Sequence, residues 1–158
     1  MLSKSIEQLN LFSMDKYIND LIHLYENKKL PNKILLSGQR GIGKSVLAFH
    51  LINYIFSKNE DFSYDKEKLK INISNRSFNL LKKNSHPNFY FCSIDEDKKS
   101  ISVNEIRNII SFCKKSSFND CEKIVLIDNI EFLNKNASNA LLKILEESNE
   151  KVIFILIK

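Results

Sequence analysis

The sequence predicts an α/β fold with a parallel sheet and helices on both faces, a prediction that rests on three observations. All three glycines of the 158-residue chain are Gly38, Gly41 and Gly43. Two apolar runs, Lys33-Ile34-Leu35-Leu36-Ser37 and Lys123-Ile124-Val125-Leu126-Ile127-Asp128, have the length and composition of buried parallel strands. Segments of strand and helix character alternate along the chain, as a sheet built from βαβ units requires.

The glycines lie in Ser37-Gly38-Gln39-Arg40-Gly41-Ile42-Gly43-Lys44-Ser45. This spacing is the P-loop pattern G-x-x-x-x-G-K-[ST]. Glycine suits such a loop because the chain turns through φ > 0 and a Cβ would block close approach of phosphate oxygens. In the motif, Lys44 reaches the β/γ-phosphates and the Ser45 hydroxyl sits on Mg²⁺. Residues Gly38 to Ser45 are therefore the candidate nucleotide-binding residues. The alternative is a glycine-rich turn without a ligand. Context favours the P-loop, since an apolar strand precedes it and Val46 to Phe56 supplies three turns of apolar helix behind it.

Bulk composition sets limits. The chain suits one domain, and its 43% hydrophobic and 27% charged content are those of an ordinary soluble globular protein. No apolar run approaches the ~18 residues of a membrane span, and no signal peptide is visible. The cytosol is the default expectation. Cys92, Cys113 and Cys121 form no C-x-x-C pair, so they read as reduced thiols. His23, His50 and His86 are equally scattered. The net charge of +5 comes from dispersed lysine pairs, which a solvated surface explains about as well as nucleic-acid binding.

The remaining elements follow in order. Apolar residues from Ile6 to Tyr25 recur near helical spacing, broken around Ser13-Met14-Asp15, and predict one or two amphipathic helices. Ser57 to Ser85 is lysine- and asparagine-rich and predicts surface structure, with a short helix near Phe78-Leu81. Phe89 to Ile94 reads as a second strand, followed by a charged turn from Asp95 to Ser100. Val103 to Phe112 reads as a helix opened by Ser102 and Glu105, a capping box. The run ending in Asp128 matches a Walker B strand, whose carboxylate fixes the Mg²⁺ shell at the strand's C-terminal edge. Ala137 to Glu147 reads as a helix and Val152 to Ile157 as a final buried strand.

At Asn139-Ala140-Leu141-Leu142-Lys143-Ile144-Leu145-Glu146-Glu147 the chain resembles the bacterial clamp-loader AAA+ subunits. Leu30-Pro31-Asn32, Gly41-Ile42-Gly43-Lys44, Ser85-His86-Pro87 and Ile101 to Arg107 point to one branch of that family, the delta-prime subunits of DNA polymerase III. The resemblance runs from about Leu11 to Lys158. It implies an AAA+ P-loop NTPase fold, a three-layer parallel sheet in order 5-1-4-3-2. Residues 1–158 would then form one nucleotide-binding domain that takes ATP and Mg²⁺, with Ser45 and Asp128 on the metal. Implied partners are other clamp-loader subunits, and through the complex the sliding clamp and primer-template DNA.

Three departures qualify the resemblance. The four-cysteine zinc module of the gamma/tau motor subunits is missing, which favours delta-prime. Asp128 is followed by Asn129 where an active ATPase carries glutamate, and an amide cannot act as a general base. Glu131 is a weaker substitute because the shift changes where its carboxylate points. The sequence also stops at Lys158, before the family's fifth strand, lid and collar, so the expectation is a truncated or partial sequence with Lys33–Ser37 as a bare edge.

The leading functional expectation is a scaffold-like clamp-loader subunit that binds ATP and hydrolyses it weakly or not at all. The alternatives are an active AAA+ motor or other P-loop NTPase, and a P-loop-shaped interaction domain that binds no nucleotide.

Overall fold

The computed structural model describes residues 4–94, 98–147 and 151–158. By internal contacts these residues form two units. One comprises Asn32–Gly38 and Pro87–Lys158, the other the described residues of Leu2–Pro31 and Gln39–His86. Among the described residues no helix is long and apolar enough to cross a membrane.

The first unit holds the sheet. Strands β1 (Lys33–Leu36), β2 (Phe89–Cys92), β3 (Lys123–Ile127) and β4 (Val152–Ile157) are all parallel, in the order β1-β4-β3-β2. That order agrees with the one the resemblance implies for its first four strands. All five residues of β3 are buried, and four of them, Ile124 to Ile127, form the unbroken β-branched and leucine run expected of a central parallel strand. Its register pairs Val125 with Tyr90 on one side and Phe154 on the other.

Helices α4 (Val103–Lys114) and α5 (Lys135–Glu147) cover one face of this sheet. Ile106, Ile109, Ala137, Leu141 and Ile144 pack into a core with Val125, Ile127 and Phe154, at the three- and four-residue spacing of amphipathic helices. The capping box is formed. The Glu105 carboxylate accepts from the Ser102 backbone N–H at 2.7 Å and from its hydroxyl at 2.9 Å, satisfying donors that the helix start would otherwise leave orphaned.

The Lys33–Ser37 run is of buried type in composition but expected at a bare edge, and β1, which ends at Leu36, is an edge strand only partly covered, with Leu35 57% exposed. Its apolar content was read correctly. Its burial depends on a neighbour, and among the described residues β1 pairs only with β4.

The second unit is helical, with α1 (Asp15–Glu26), α2 (Lys44–Ser57) and α3 (Arg76–Lys82). A 3-10 turn at Lys4–Glu7 precedes a single α-helix, so Ile6 to Tyr25 yields one α-helix and not two. Helix α2 is buried on nearly every side beyond its first turn, which explains why it is apolar all round.

His50, in the middle of α2, is fully buried. Its Nε2–H donates to the Gln8 carbonyl at 3.0 Å, which leaves Nδ1 to accept from the Tyr64 hydroxyl at 2.8 Å. Burial pushes its pKa down to about 4, so the ring is neutral near pH 7.

Ser57–Ser85 is more than the surface structure its composition predicts. The expected short helix is α3, but Tyr64, Leu69, Ile71, Phe78 and Leu81 are buried. Leu69 and Ile71 pair antiparallel with the chain at Leu9–Leu11. The Asn75 side chain organises the start of α3. Its Oδ1 accepts from the Phe78 N–H at 2.7 Å and its Nδ2 donates to the Phe62 carbonyl at 2.9 Å. The turn predicted at Asp95–Ser100 lies partly outside the described residues.

Candidate functional site

The glycine-rich loop leads from β1 to the N-terminus of α2. Gly38 closes the β1 side, in the sheet-bearing unit, and Gln39–Ser45 belong to the helical unit. Left-handed backbone falls at Gly41 (φ +85°) and Gly43 (φ +99°), not at Gly38. The conformational need for glycine is therefore confined to two of the three positions. A Cβ on Gly41 would meet nothing within 4 Å, and one on Gly43 would come 3.4 Å from the Met14 Cε atom. The loop is open on the Gly41 side and backed by the buried Met14 side chain at Gly43.

Gly43 is the N-cap of α2, and no side chain caps the helix there. Its first turn carries no acidic residue. The helix start thus presents backbone N–H groups and the positive end of its dipole with no carboxylate in its own first turn, an arrangement suited to an anion. Lys44 starts the helix. Its ammonium donates to the Gln39 carbonyl at 2.8 Å, and the same carbonyl receives the Ile42 N–H at 3.4 Å. Ser45 follows on the first turn, half-buried, while Gln39, Arg40 and Ile42 are exposed. Backbone N–H groups, an ammonium and a hydroxyl on one loop and helix turn match the chemistry of a polyphosphate with its metal.

Asp128 stands one residue past the C-terminal end of β3, in the sheet-bearing unit. It is 8% exposed, and its N–H donates to the Cys92 carbonyl at 2.8 Å. Asn129 adopts left-handed backbone (φ 58°, ψ 52°) and starts a 3-10 turn, Ile130–Phe132. Among non-glycine residues, asparagine tolerates this region best. Glu131 lies exposed within that turn. Asn134 then caps α5, its side chain accepting the Ala137 N–H at 2.9 Å. The loop is tied to the start of α4 by Ile101, whose N–H donates to the Phe132 carbonyl at 2.8 Å and whose carbonyl receives the Asn134 N–H at 3.2 Å.

Two features of these segments escape sequence reasoning. The left-handed backbone at Asn129 had only a weak signal, an asparagine following a strand. The seating of Met14 against Gly43 had none, because the two residues are far apart in sequence.

A family model described as "DNA polymerase III, delta subunit" matches residues 13–158. The chain belongs to this DNA polymerase III family. Curated relatives include DNA polymerase III subunit delta' of Pseudomonas aeruginosa, 31% identical over 78% of this chain and 36% of that protein. The delta' subunit of Buchnera aphidicola subsp. Baizongia pistaciae is 30% identical over 87% of this chain and 41% of that protein. The gamma/tau subunit of Mycoplasma genitalium is 28% identical over 85% of this chain and 21% of its own length. The chain thus spans about two-fifths or less of these family relatives. Among solved structures, a DNA polymerase III gamma subunit-related protein of Thermotoga maritima superposes with TM-score 0.54 at 19% identity, over 98% of this chain and 39% of that one. That likeness is one of fold, a parallel α/β sheet with helices, and the delta-prime resemblance read from Leu30–Asn32, Gly41–Lys44, Ser85–Pro87 and Ile101–Arg107 agrees with the family match.

Proposed function

We propose that this chain is the AAA+ nucleotide-binding domain of a delta-prime-type clamp-loader subunit, which binds ATP·Mg²⁺ and turns it over weakly or not at all. The observation that carries the reading is the N-terminus of α2, uncapped by any side chain and without acid in its first turn, fronted by left-handed Gly41 and Gly43 and by Lys44. Residues Gly38 to Ser45 would cradle the phosphates. The assignment of Mg²⁺ to Ser45 and Asp128 rests on the two sequence motifs. Bound nucleotide would supply charge and order to the loop. Asn129 in place of a carboxylate supports weak turnover, because no general base follows Asp128. The curated relatives, which are DNA polymerase III subunits, support a place beside other subunits of such a complex, and the proposal adds a cytoplasmic location and action on the sliding clamp and primer-template DNA through that complex.

Titration calorimetry with ATP and Mg²⁺ on the unmodified chain and on Lys44→Ala tests the reading. Loss of a charged hydrogen bond to phosphate is worth about 1.5–3 kcal/mol, so affinity should fall by roughly tenfold or more. Binding unchanged in Lys44→Ala, or no binding in either protein, would contradict it.

A further inference from the structure

At the end of the strands opposite to Asp128 lies a cavity of about 700 Å³, between the C-terminal ends of α4 and α5 and the starts of β3 and β4. Its walls are of two kinds. Ile110, Ala140, Ile144 and Val152 form an apolar side. Lys114, Lys115, Lys123, Lys143 and Lys151 also line it, with Glu147 as the one carboxylate among the described lining residues. This volume lies in the usual range for a small-molecule site, and an apolar wall with few convergent polar groups is the usual composition of one.

Helix chemistry accounts for only part of this charge. Lysines at a helix C-terminus can answer the negative end of its dipole, and for α4 Lys114, which stands in the last turn, does so together with Lys123. The buried Lys123 ammonium donates to the Phe112 carbonyl at 2.6 Å and to the Lys115 carbonyl, with the Phe112 ring centroid 4.8 Å away. Helix α5 ends in Glu146-Glu147, with no basic residue in its last turn. Lys143 lies a turn earlier, and Lys151 stands at the entry to β4. Among the described residues no ion pair involves Lys114, Lys115 or Lys143. Lys115 and Lys143 therefore add positive charge beside the apolar residues of the cavity. Cys113 also lines the cavity, and burial pushes its thiol up to about 11, so it stays protonated as part of the wall rather than acting as a nucleophile.

We infer that this cavity binds a small anionic amphiphile, with its apolar body against Ile110, Ala140, Ile144 and Val152 and its phosphate or carboxylate head among Lys115, Lys143 and Lys151. The site is independent of the P-loop. Every residue named for it lies in the sheet-bearing unit, toward the strand ends opposite to Asp128.

The test is amide chemical-shift mapping on the 158-residue chain with three probes: octyl phosphate below its micelle concentration, inorganic phosphate and octanol. Octyl phosphate should saturably shift the amides of Ile110, Cys113–Ser117, Lys143–Glu147 and Val152, at least tenfold more tightly than either other probe. Lys143→Glu with Lys151→Glu, both on the exposed rim, should weaken it about tenfold or more. Shifts confined to Gln39–Ser45, equal affinity for octanol, or affinity unchanged by the double substitution would each overturn the site.

Discussion

The Lys44 ammonium donates to the Gln39 carbonyl at 2.8 Å, folding the glycine-rich loop back on the first residue of α2. The charge that the proposed function aims at phosphate is thus held at the loop by the loop's own backbone. A solvated hydrogen bond of this kind contributes only about 1 kcal/mol. Lys44→Ala should therefore change the urea midpoint little, and its loss of nucleotide affinity would not be an effect of unfolding. A large drop in stability would show that Lys44 is chiefly structural.

Gly43 and Gly41 differ in surroundings but share left-handed backbone. Alanine costs about 1–2 kcal/mol in that region. Gly43→Ala should therefore lower stability by about that amount, and Gly41→Ala by no more, because only Gly43 lies against Met14. Thermal melts of both variants read this directly. Full stability in Gly43→Ala would mean that the loop relaxes away from φ +99°.

The left-handed backbone at Asn129 changes the meaning of restoring a glutamate there. Glutamate fits φ 58°, ψ 52° less well than asparagine. Asn129→Glu should cost about 1 kcal/mol, whereas Asn129→Gly should be neutral or stabilising. Any gain in turnover from Asn129→Glu would therefore come with a lower urea midpoint. A variant as stable as the parent would indicate that the turn after β3 has rearranged.

His50 makes stability depend on pH. Its folded pKa, about 4, lies below the ordinary value of 6.5, so between those values the unfolded chain binds more protons. The stabilisation is complete above about pH 6.5 and is lost as pH falls toward 4. It amounts to at most about 3 kcal/mol. His86, stacked on Phe56 at 4.0 Å and also pushed down to about 4 by burial, acts in the same direction. Urea titrations at pH 7.0, 5.5 and 4.5 should show stability falling with pH. A flat profile would contradict a neutral, buried His50.

Asn75 is fully buried, and the side chain of this one residue serves Phe78, Phe62 and Asn53. Asn75→Ala removes the N-cap of α3 and leaves the Phe62 carbonyl without that donor, a loss of about 2–3 kcal/mol. Asn75→Asp keeps the cap acceptor and should retain part of that stability. Chemical denaturation that ranks the two variants equally would remove the cap from the explanation.

The sequence revealed most where one local pattern sufficed. β3 and β4 are continuous apolar runs, α4 carries its capping box, and the three glycines mark a single loop. It revealed least where partners far apart in the chain decide the outcome. Tyr64, Leu69 and Ile71 lie in a lysine- and asparagine-rich stretch with no period, and they are buried because Leu9–Leu11 and His50 meet them. Leu35 is as apolar as its neighbours, and its exposure follows from the edge position of β1, which the strand order of the resemblance implied and composition alone did not. At the candidate site, Asn129 showed that a carboxylate was missing, but its backbone conformation could not be read from residue type. Lys123 looked like the polar start of a strand and turned out to be a buried cap for α4.

The central claim is a phosphate cradle that holds nucleotide without consuming it. Its most direct test measures ATP·Mg²⁺ occupancy and phosphate release on the same sample of the unmodified chain. The predicted result is saturable binding, abolished or weakened about tenfold or more by Lys44→Ala, with phosphate release no faster than in buffer. Sustained release that depends on Lys44, or the absence of any saturable binding, would contradict the claim.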